Sequence, residues 1–293
     1  MDLWKALKDL SFKFFGRTIE PFVGYFESIK YDLLKANLGF SLTEYVYTMF
    51  FTLLLLFAIE FPVIVVIVAI ILQDAAIAFL FSFTITTVIL LLVFFLFYTY
   101  PSMASGRRRK SIDATLPFGT TYLATIASSG APPIAMFKIL SQFKEYGELS
   151  VETGKIYRDV EAFGMDLVSA IRKTASRTPS EELKELLWGL DTVLTSGGSI
   201  GNFLHEKSRT FISEYRRRLE QYSRTLALLI EVYLTVVLVG SIFFIIMTAL
   251  MSILGGGGDG TTMIFIQFLV IFVALPFASI GFIGLLKAIS PSA

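Results

Sequence analysis

The basic residues of this chain avoid two short turns, and that avoidance constrains the fold more than any motif does. Four apolar stretches cover residues 46–72, 75–100, 226–254 and 263–286. Each exceeds the ~20 residues that a helix needs to cross a hydrocarbon core of ~30 Å. None of the 25 Lys and Arg residues falls in the joining turns, 73–74 and 255–262, although each turn holds an Asp. Six lie in 1–45, eighteen in 101–225 and one at Lys287. Positive charge is kept on the inner side of a membrane, so this distribution places both termini and the central block in the cytoplasm of a multi-pass cell-membrane protein. Four spans return the chain to its starting side, in agreement. A mean hydropathy of +0.70 and 55% hydrophobic residues match an integral membrane protein rather than a soluble domain. The first apolar run is too long for a cleavable signal peptide, and residues 1–39 before it are charged and mixed.

Four regions are expected: an amphipathic cytoplasmic segment at 1–45, a membrane hairpin at 46–100, a cytoplasmic domain at 101–225 and a second hairpin at 226–288. In the first, Leu3, Trp4, Leu7, Leu10, Phe14 and Phe15 recur at helical spacing with Lys5, Lys8, Asp9 and Lys13 between them. Such a helix either lies on the inner leaflet or packs against the central block. Tyr45 and Tyr47 are expected as interfacial anchors. The central block shows helical periodicity over 114–128, 133–146, 150–162, 166–176, 179–195 and 200–225. Thr178 is expected to cap the fifth of these, with Pro179 at its first position and Glu181 completing a capping box. Leu183, Leu186, Leu187, Leu190 and Leu194 form its apolar face. The expected fold class is all-α: four transmembrane helices in two hairpins flanking a cytoplasmic six-helix bundle.

Composition excludes much chemistry. With no Cys and one His, disulfides, thiolate zinc sites, Fe–S clusters and cysteine nucleophiles are out. His205 has no carboxylate or second His at metal-ligand spacing and reads as a surface residue. Eighteen basic residues against fourteen acidic give 101–225 a mild +4. Its clusters, Arg107 to Lys110 and Arg216 to Arg218, flank the second and third spans and read as anchors to anionic lipid. No aromatic platform accompanies them, so nucleic acid is not an expected partner. Gly154-Lys155 is followed by Ile156 and lacks the earlier glycine of a phosphate-binding loop, so the chain is not its own ATPase. No cofactor or catalytic constellation emerges, and the chain is not read as an enzyme.

Several runs of the central block, in order, resemble one family. Ser128-Ser129-Gly130-Ala131-Pro132-Pro133 precedes an amphipathic helix. Ile156 to Ile171 carries Asp159-Val160, Gly164, Leu167 and Ala170-Ile171. Arg177-Thr178-Pro179-Ser180, Leu186-Leu187-Trp188-Gly189-Leu190, and Ser196-Gly197-Gly198 with Phe203-Leu204 follow. Together, over roughly 113–250, they resemble the type II secretion F domain, the inner-membrane platform of type IV pilus, type II secretion, archaellum and Tad pilus machines. One domain with a hairpin on each side looks most like the Tad-type or archaeal pilus branches; archaellum platforms are usually longer. The resemblance implies a hexameric ATPase and pilin subunits as partners, and a homodimer or a heterodimer with a paralogous platform protein as the complete base.

Two groups of residues are candidates for contact with such partners. Arg172, Lys173 and Arg177 beside Glu181, Glu182 and Glu185 form a charged cluster that is either an ATPase-docking face or a solvated helix end. Glu60, two residues before Pro62, and Glu231, just over a turn into the third span, are intramembrane carboxylates. Groups at such depth are costly unless paired or protonated, and they mark function by default. Either could meet a pilin helix. Alternatively, Glu60 bonds a carbonyl freed by Pro62, and Glu231 reaches headgroups or Arg224. Glu60 also admits a transporter or channel reading, although no internal repeat relates the hairpins. Gly256-Gly257-Gly258-Asp259 spells the G-x-G-D of intramembrane aspartyl proteases, with Asp74 as the other Asp near the outer face. Both lie in external turns, where Gly and Asp are ordinary. Pro276 and the Gly281/Gly284 pair are expected to kink the last span and to bring a helix close.

Overall fold

A computed structural model describes residues 20–253, 265 and 268–289. The expected leaflet helix at residues 3–15 and the Gly256–Asp259 motif lie outside them. The described residues contain helices and turns and no strand. After a 3-10 stretch, Glu20–Phe26, the helices are α1 (Glu27–Ala36), α2 (Leu42–Leu72), α3 (Ala75–Ser128), α4 (Pro133–Gln142), α5 (Glu148–Glu161), α6 (Leu167–Ala175), α7 (Glu181–Ser196), α8 (Ile200–Leu234), α9 (Gly240–Ile253) and α10 (Leu275–Ile289). Among the described residues, four helical stretches are long and apolar enough to cross a membrane: Leu42–Leu72, Ala75–Ser128, Ile200–Leu250 and Val270–Lys287. The chain is an all-α integral membrane protein. It divides into two compact units, one ending at Ser208 and the other beginning at Arg209.

In the first unit, α2 and α3 form a membrane hairpin. Ser41 and Glu44 cap α2 reciprocally: the Glu44 amide donates to Ser41 Oγ, and the Ser41 amide to Glu44 Oε2 at 3.0 Å. Asp74 caps α3 by accepting from the amides of Ala76 and Ile77. That is a structural task for the carboxylate considered above as a protease partner. Ala78, Ser82 and Thr86 recur every fourth residue on α3, all fully buried; small side chains let two backbones approach where there is no hydrophobic drive between helices. Phe61 packs edge-on against Phe79 with centroids 5.4 Å apart.

The two tyrosines expected at the lipid interface are instead buried, Tyr45 3% exposed and Tyr47 2%. The reason lies 56 residues downstream of Tyr45. Pro101 has no N–H, so the carbonyl four residues before it, Phe97, loses its helical partner. The Tyr45 hydroxyl donates to that carbonyl at 2.8 Å. A freed carbonyl in an apolar setting needs such a donor, and with it satisfied α3 continues through Pro101 as one helix of 54 residues. The second span and the first helix of the central block are thus a single rod.

The central block surrounds the lower half of that rod. Ile112, Leu116 and Leu123 of α3, Phe137 and Leu140 of α4, Leu149 and Ile156 of α5, Ile171 of α6, Leu186, Leu187 and Leu190 of α7, and Leu204 of α8 are all buried. Each set falls at helical spacing on one face. The cap of α7 is Ser180, not Thr178: Ser180 Oγ accepts from the Leu183 amide at 3.0 Å and donates to Asp113 of α3. That bond to α3 fixes the start two residues later than the local sequence indicates.

Arg108 holds these pieces together. Its side chain is only 10% exposed. Nε donates to Glu148 at 2.8 Å, Nη2 to Glu152 at 2.5 Å and Nη1 to the Lys35 carbonyl at 2.5 Å. One guanidinium therefore joins α3 to the first turn of α5 and closes the C-terminal end of α1, where carbonyls lack helical partners. It is not the lipid anchor expected of its cluster; exposed Arg107 and Arg109 retain that option.

In the second unit, Tyr233 of α8 stacks on Phe282 of α10 at 4.3 Å and shares a 2.9 Å hydrogen bond with Ser279. Wide π turns interrupt both partners, at Thr235–Val239 and Val270–Ala274. The second ends two residues before Pro276, the residue expected to perturb this helix. Among the described residues, nothing approaches the position of a Cβ at Gly281 or Gly284, so neither makes the close helix contact expected of it.

Arg108→Ala leaves Glu148 and a helix-end carbonyl without their donor and Glu152 with Lys155 alone, and removing one partner of a buried pair costs about 3–5 kcal/mol. We expect that loss in detergent unfolding, against less than about 0.5 kcal/mol for exposed Arg107→Ala.

Candidate functional site

The charged cluster at the α6–α7 junction resolves into two faces. Asp166 caps α6 through the amides of Val168 and Ser169. This sets Arg172 and Lys173 on the last turn, where cations complement exposed carbonyls. Arg172 pairs with Asp191 of α7 at 2.9 Å and Lys173 with Asp159 of α5 at 2.7 Å. Lys173 and Arg177 line a cavity on the side of α1. The three glutamates go elsewhere. Glu181 is bonded by Lys184 at 3.0 Å and Glu185 by Lys207 at 2.8 Å; Glu182 is half-buried. The Lys184 hydrogen bond holds the Glu181 carboxyl below its ordinary range, so this carboxylate stays ionised further into acid pH.

Glu181, Glu185 and Trp188 recur at i, i+4 and i+7, one face of α7, and all are exposed, Trp188 by 43%. Aromatic side chains on an accessible face are typical anchors at protein interfaces. An acidic strip ending in an indole is the most contact-ready feature of this junction. Sequence reading caught its acids and missed Trp188, which stood only as part of a family motif; the signal was its position opposite the leucine face.

The intramembrane carboxylates differ from each other. Glu60 Oε2 is buried and has no hydrogen-bond partner, so no bond from it to a carbonyl freed by Pro62 is made. Hairpin register, set by Tyr45 on Phe97 and Phe61 on Phe79 and Phe83, puts Glu60 near the level of Ser82, with Thr86 one turn further along α3. Thr86 Oγ1 is likewise buried and unpartnered. Glu231 is exposed on α8 and forms no ion pair with Arg224 among the described residues. His205 is exposed on the same helix, and no group of metal-binding side chains occurs among the described residues.

The glycines of the family-like motifs have a backbone reason. Gly130, Gly164 and Gly197 have φ of +78°, +64° and +72°, a region that side chains disfavour. They close the turn after α3, the turn after α5 and the end of α7. Gly189 has a packing reason instead: a Cβ there would collide with the ring of Phe203 on α8. Gly189→Ala should cost about 1–3 kcal/mol through overpacking. In thermal melts, Phe203→Leu in the same chain should restore much of that loss; no recovery would mean the clash is not the cause.

Comparison with known proteins agrees with these motifs. Residues 120–248 match the family described as Type II secretion system (T2SS), protein F. An uncharacterized protein of Methanocaldococcus jannaschii is 27% identical over 201 residues, covering 66% of this chain and 33% of the relative. The flagella accessory protein J of the same organism is 28% identical over 137 residues, covering 46% of this chain and 24% of that protein. The chain thus spans about a third and a quarter of the length of these curated relatives. No solved structure matches. Residues 120–248 are thus similar to the type II secretion system protein F family, and both of the relatives named above come from an archaeon.

Proposed function

We propose that this chain is the cytoplasmic-membrane platform of a type IV pilus-like filament machine, of the archaeal or Tad-type branch. In this reading the termini and the central block face the cytoplasm, which the bias of Lys and Arg away from the two joining turns supports. A hexameric ATPase docks on the exposed face of α7 that carries Glu181, Glu185 and Trp188, and its cycle displaces the block. A second copy, or a paralogous platform protein, completes the base.

The observation that carries the proposal is the unbroken α3. Because Ala75–Ser128 is one helix, force applied to the family domain reaches the first hairpin without a flexible joint. α8, continuous from Ile200 to Leu234, supplies a second lever toward the third span. Pilin subunits, whose apolar helices start in the bilayer, are then lifted into the filament. Glu60 supplies the intramembrane contact for them: its buried, unpartnered oxygen gains a partner only when something polar enters the hairpin, because an unmet polar group in hydrocarbon is costly.

Pull-down of the tagged full chain from native membranes tests this reading. Recovery of a hexameric ATPase together with pilin subunits supports it. Intact protein that brings down neither overturns it. Glu185→Lys combined with Trp188→Ala should lower ATPase recovery about tenfold, a loss of 1.4 kcal/mol, with helix content unchanged.

The same oxygen of Glu60 favours one other reading, an ion or proton site in a channel or transporter subunit. Proteoliposomes bearing the full chain would then show an ion flux that Glu60→Gln abolishes; the platform reading expects no flux from either.

A further inference from the structure

We propose that the cavity between α1 and the α5–α6 pair binds a phosphate group, carried by the headgroup of an anionic lipid. The cavity has a volume of about 310 Å³, at the small end of the range for ligand sites. Four cations line it: Lys155 and Arg158 on α5, Lys173 on α6, and Arg177 just beyond. Two acids also face it, and both are already engaged. Glu152 accepts from Lys155 at 2.9 Å and from Arg108, and Asp159 accepts from Lys173 at 2.7 Å. Among the described residues, neither Arg158 nor Arg177 has an acidic partner, and both are exposed to the opening. The pocket therefore presents two guanidinium groups uncompensated by carboxylates.

A guanidinium is a planar fork of N–H donors that matches the oxygens of a phosphate two at a time. Two such forks over one small cavity suit a single doubly hydrogen-bonded phosphate better than any neutral ligand.

The position selects the source. The opposite wall comes from the segment leading into the first span: Asn37 and Gly39, at φ of 55° and 71°, turn the chain back. Phe40 follows, directly before the Ser41 cap of α2. The cavity thus lies where the chain enters the membrane, at the depth of the headgroups. Apolar Leu33, Leu34 and Phe40 flank the cations, as a lipid's glycerol and first methylenes require and a hydrated free phosphate does not. Basic groups next to a span also attract anionic lipid electrostatically.

Native mass spectrometry of the full chain in detergent, with added phosphatidylglycerol, tests the proposal. One lipid should stay bound per chain, with affinity about tenfold lower in Arg158→Gln/Arg177→Gln and unchanged in Lys144→Gln/Arg209→Gln, two exposed cations that do not line the cavity. Arg158→Lys/Arg177→Lys, which keeps charge but removes the forks, should fall between. Neither arginine makes an internal ion pair, so circular dichroism should show the variants folded. In a second arm, inorganic phosphate is tested for protection of both arginines from phenylglyoxal without lipid. Protection there with no lipid retention would keep the anion site and overturn the lipid as its source. Equal lipid retention by parent and the Gln variant, with no protection by phosphate, would overturn the site itself. Cross-linking of the arginines to a partner's carboxylates instead would assign the pocket to protein docking.

Discussion

A guanidinium placed in a protein interior is costly unless it finds acceptors, and Arg108, on α3, meets that condition with three bonds to two other segments. Its donors reach the end of α1 and two successive turns of α5. Without those acceptors Arg108 would have to swing outward, and α1 would lose the donor at its C-terminal end. The turn at residues 37–41, the start of the first span and the charged cavity beside it all depend on where α1 ends. The sharing of Glu152 between Arg108 and Lys155 explains why this cavity retains an excess of positive charge.

The membrane imposes the second condition, that backbone groups freed by proline find donors. Tyr45 meets it at Phe97, and one consequence is continuity. Because α3 does not break at Pro101, the second span and the first helix of the central block are one element. A proline that would end a helix in isolation is, with a tyrosine opposite, carried inside a continuous one. Among the described side chains of the hairpin, Glu60 Oε2 and Thr86 Oγ1 are buried without a hydrogen-bond partner.

Much of this architecture could be read from the sequence because its determinants are local. Apolar length set the four spans, and the helix predicted at 179–195 is observed as Glu181–Ser196. The glycines of the family-like motifs sit at left-handed turns or tight contacts. What stayed hidden depends on pairings across 40 to 73 positions: Arg108 with Glu148, Glu152 and Lys35. No periodicity announces them, so a buried structural arginine resembled its exposed neighbours in a basic run. Tyr45 was misplaced for the same reason, since its partner lies 52 residues away. In the α6–α7 cluster, sequence proximity united Lys173 and Arg177 with Glu181 and Glu185, and the helix geometry sends them to different faces.

Arg108 ties α1, α3 and α5 into one body, so that a displacement of α5 also moves the entry to the first span. Hydrogen–deuterium exchange of the full chain in nanodiscs, comparing parent with Arg108→Met, tests it most directly. Amides of Glu27–Ala36 and of the first turn of α5 should lose protection together, by about tenfold or more, the scale of 1.4 kcal/mol, while α7 is unchanged. If α1 keeps its protection when α5 loses it, the segments are independent and no such tie exists.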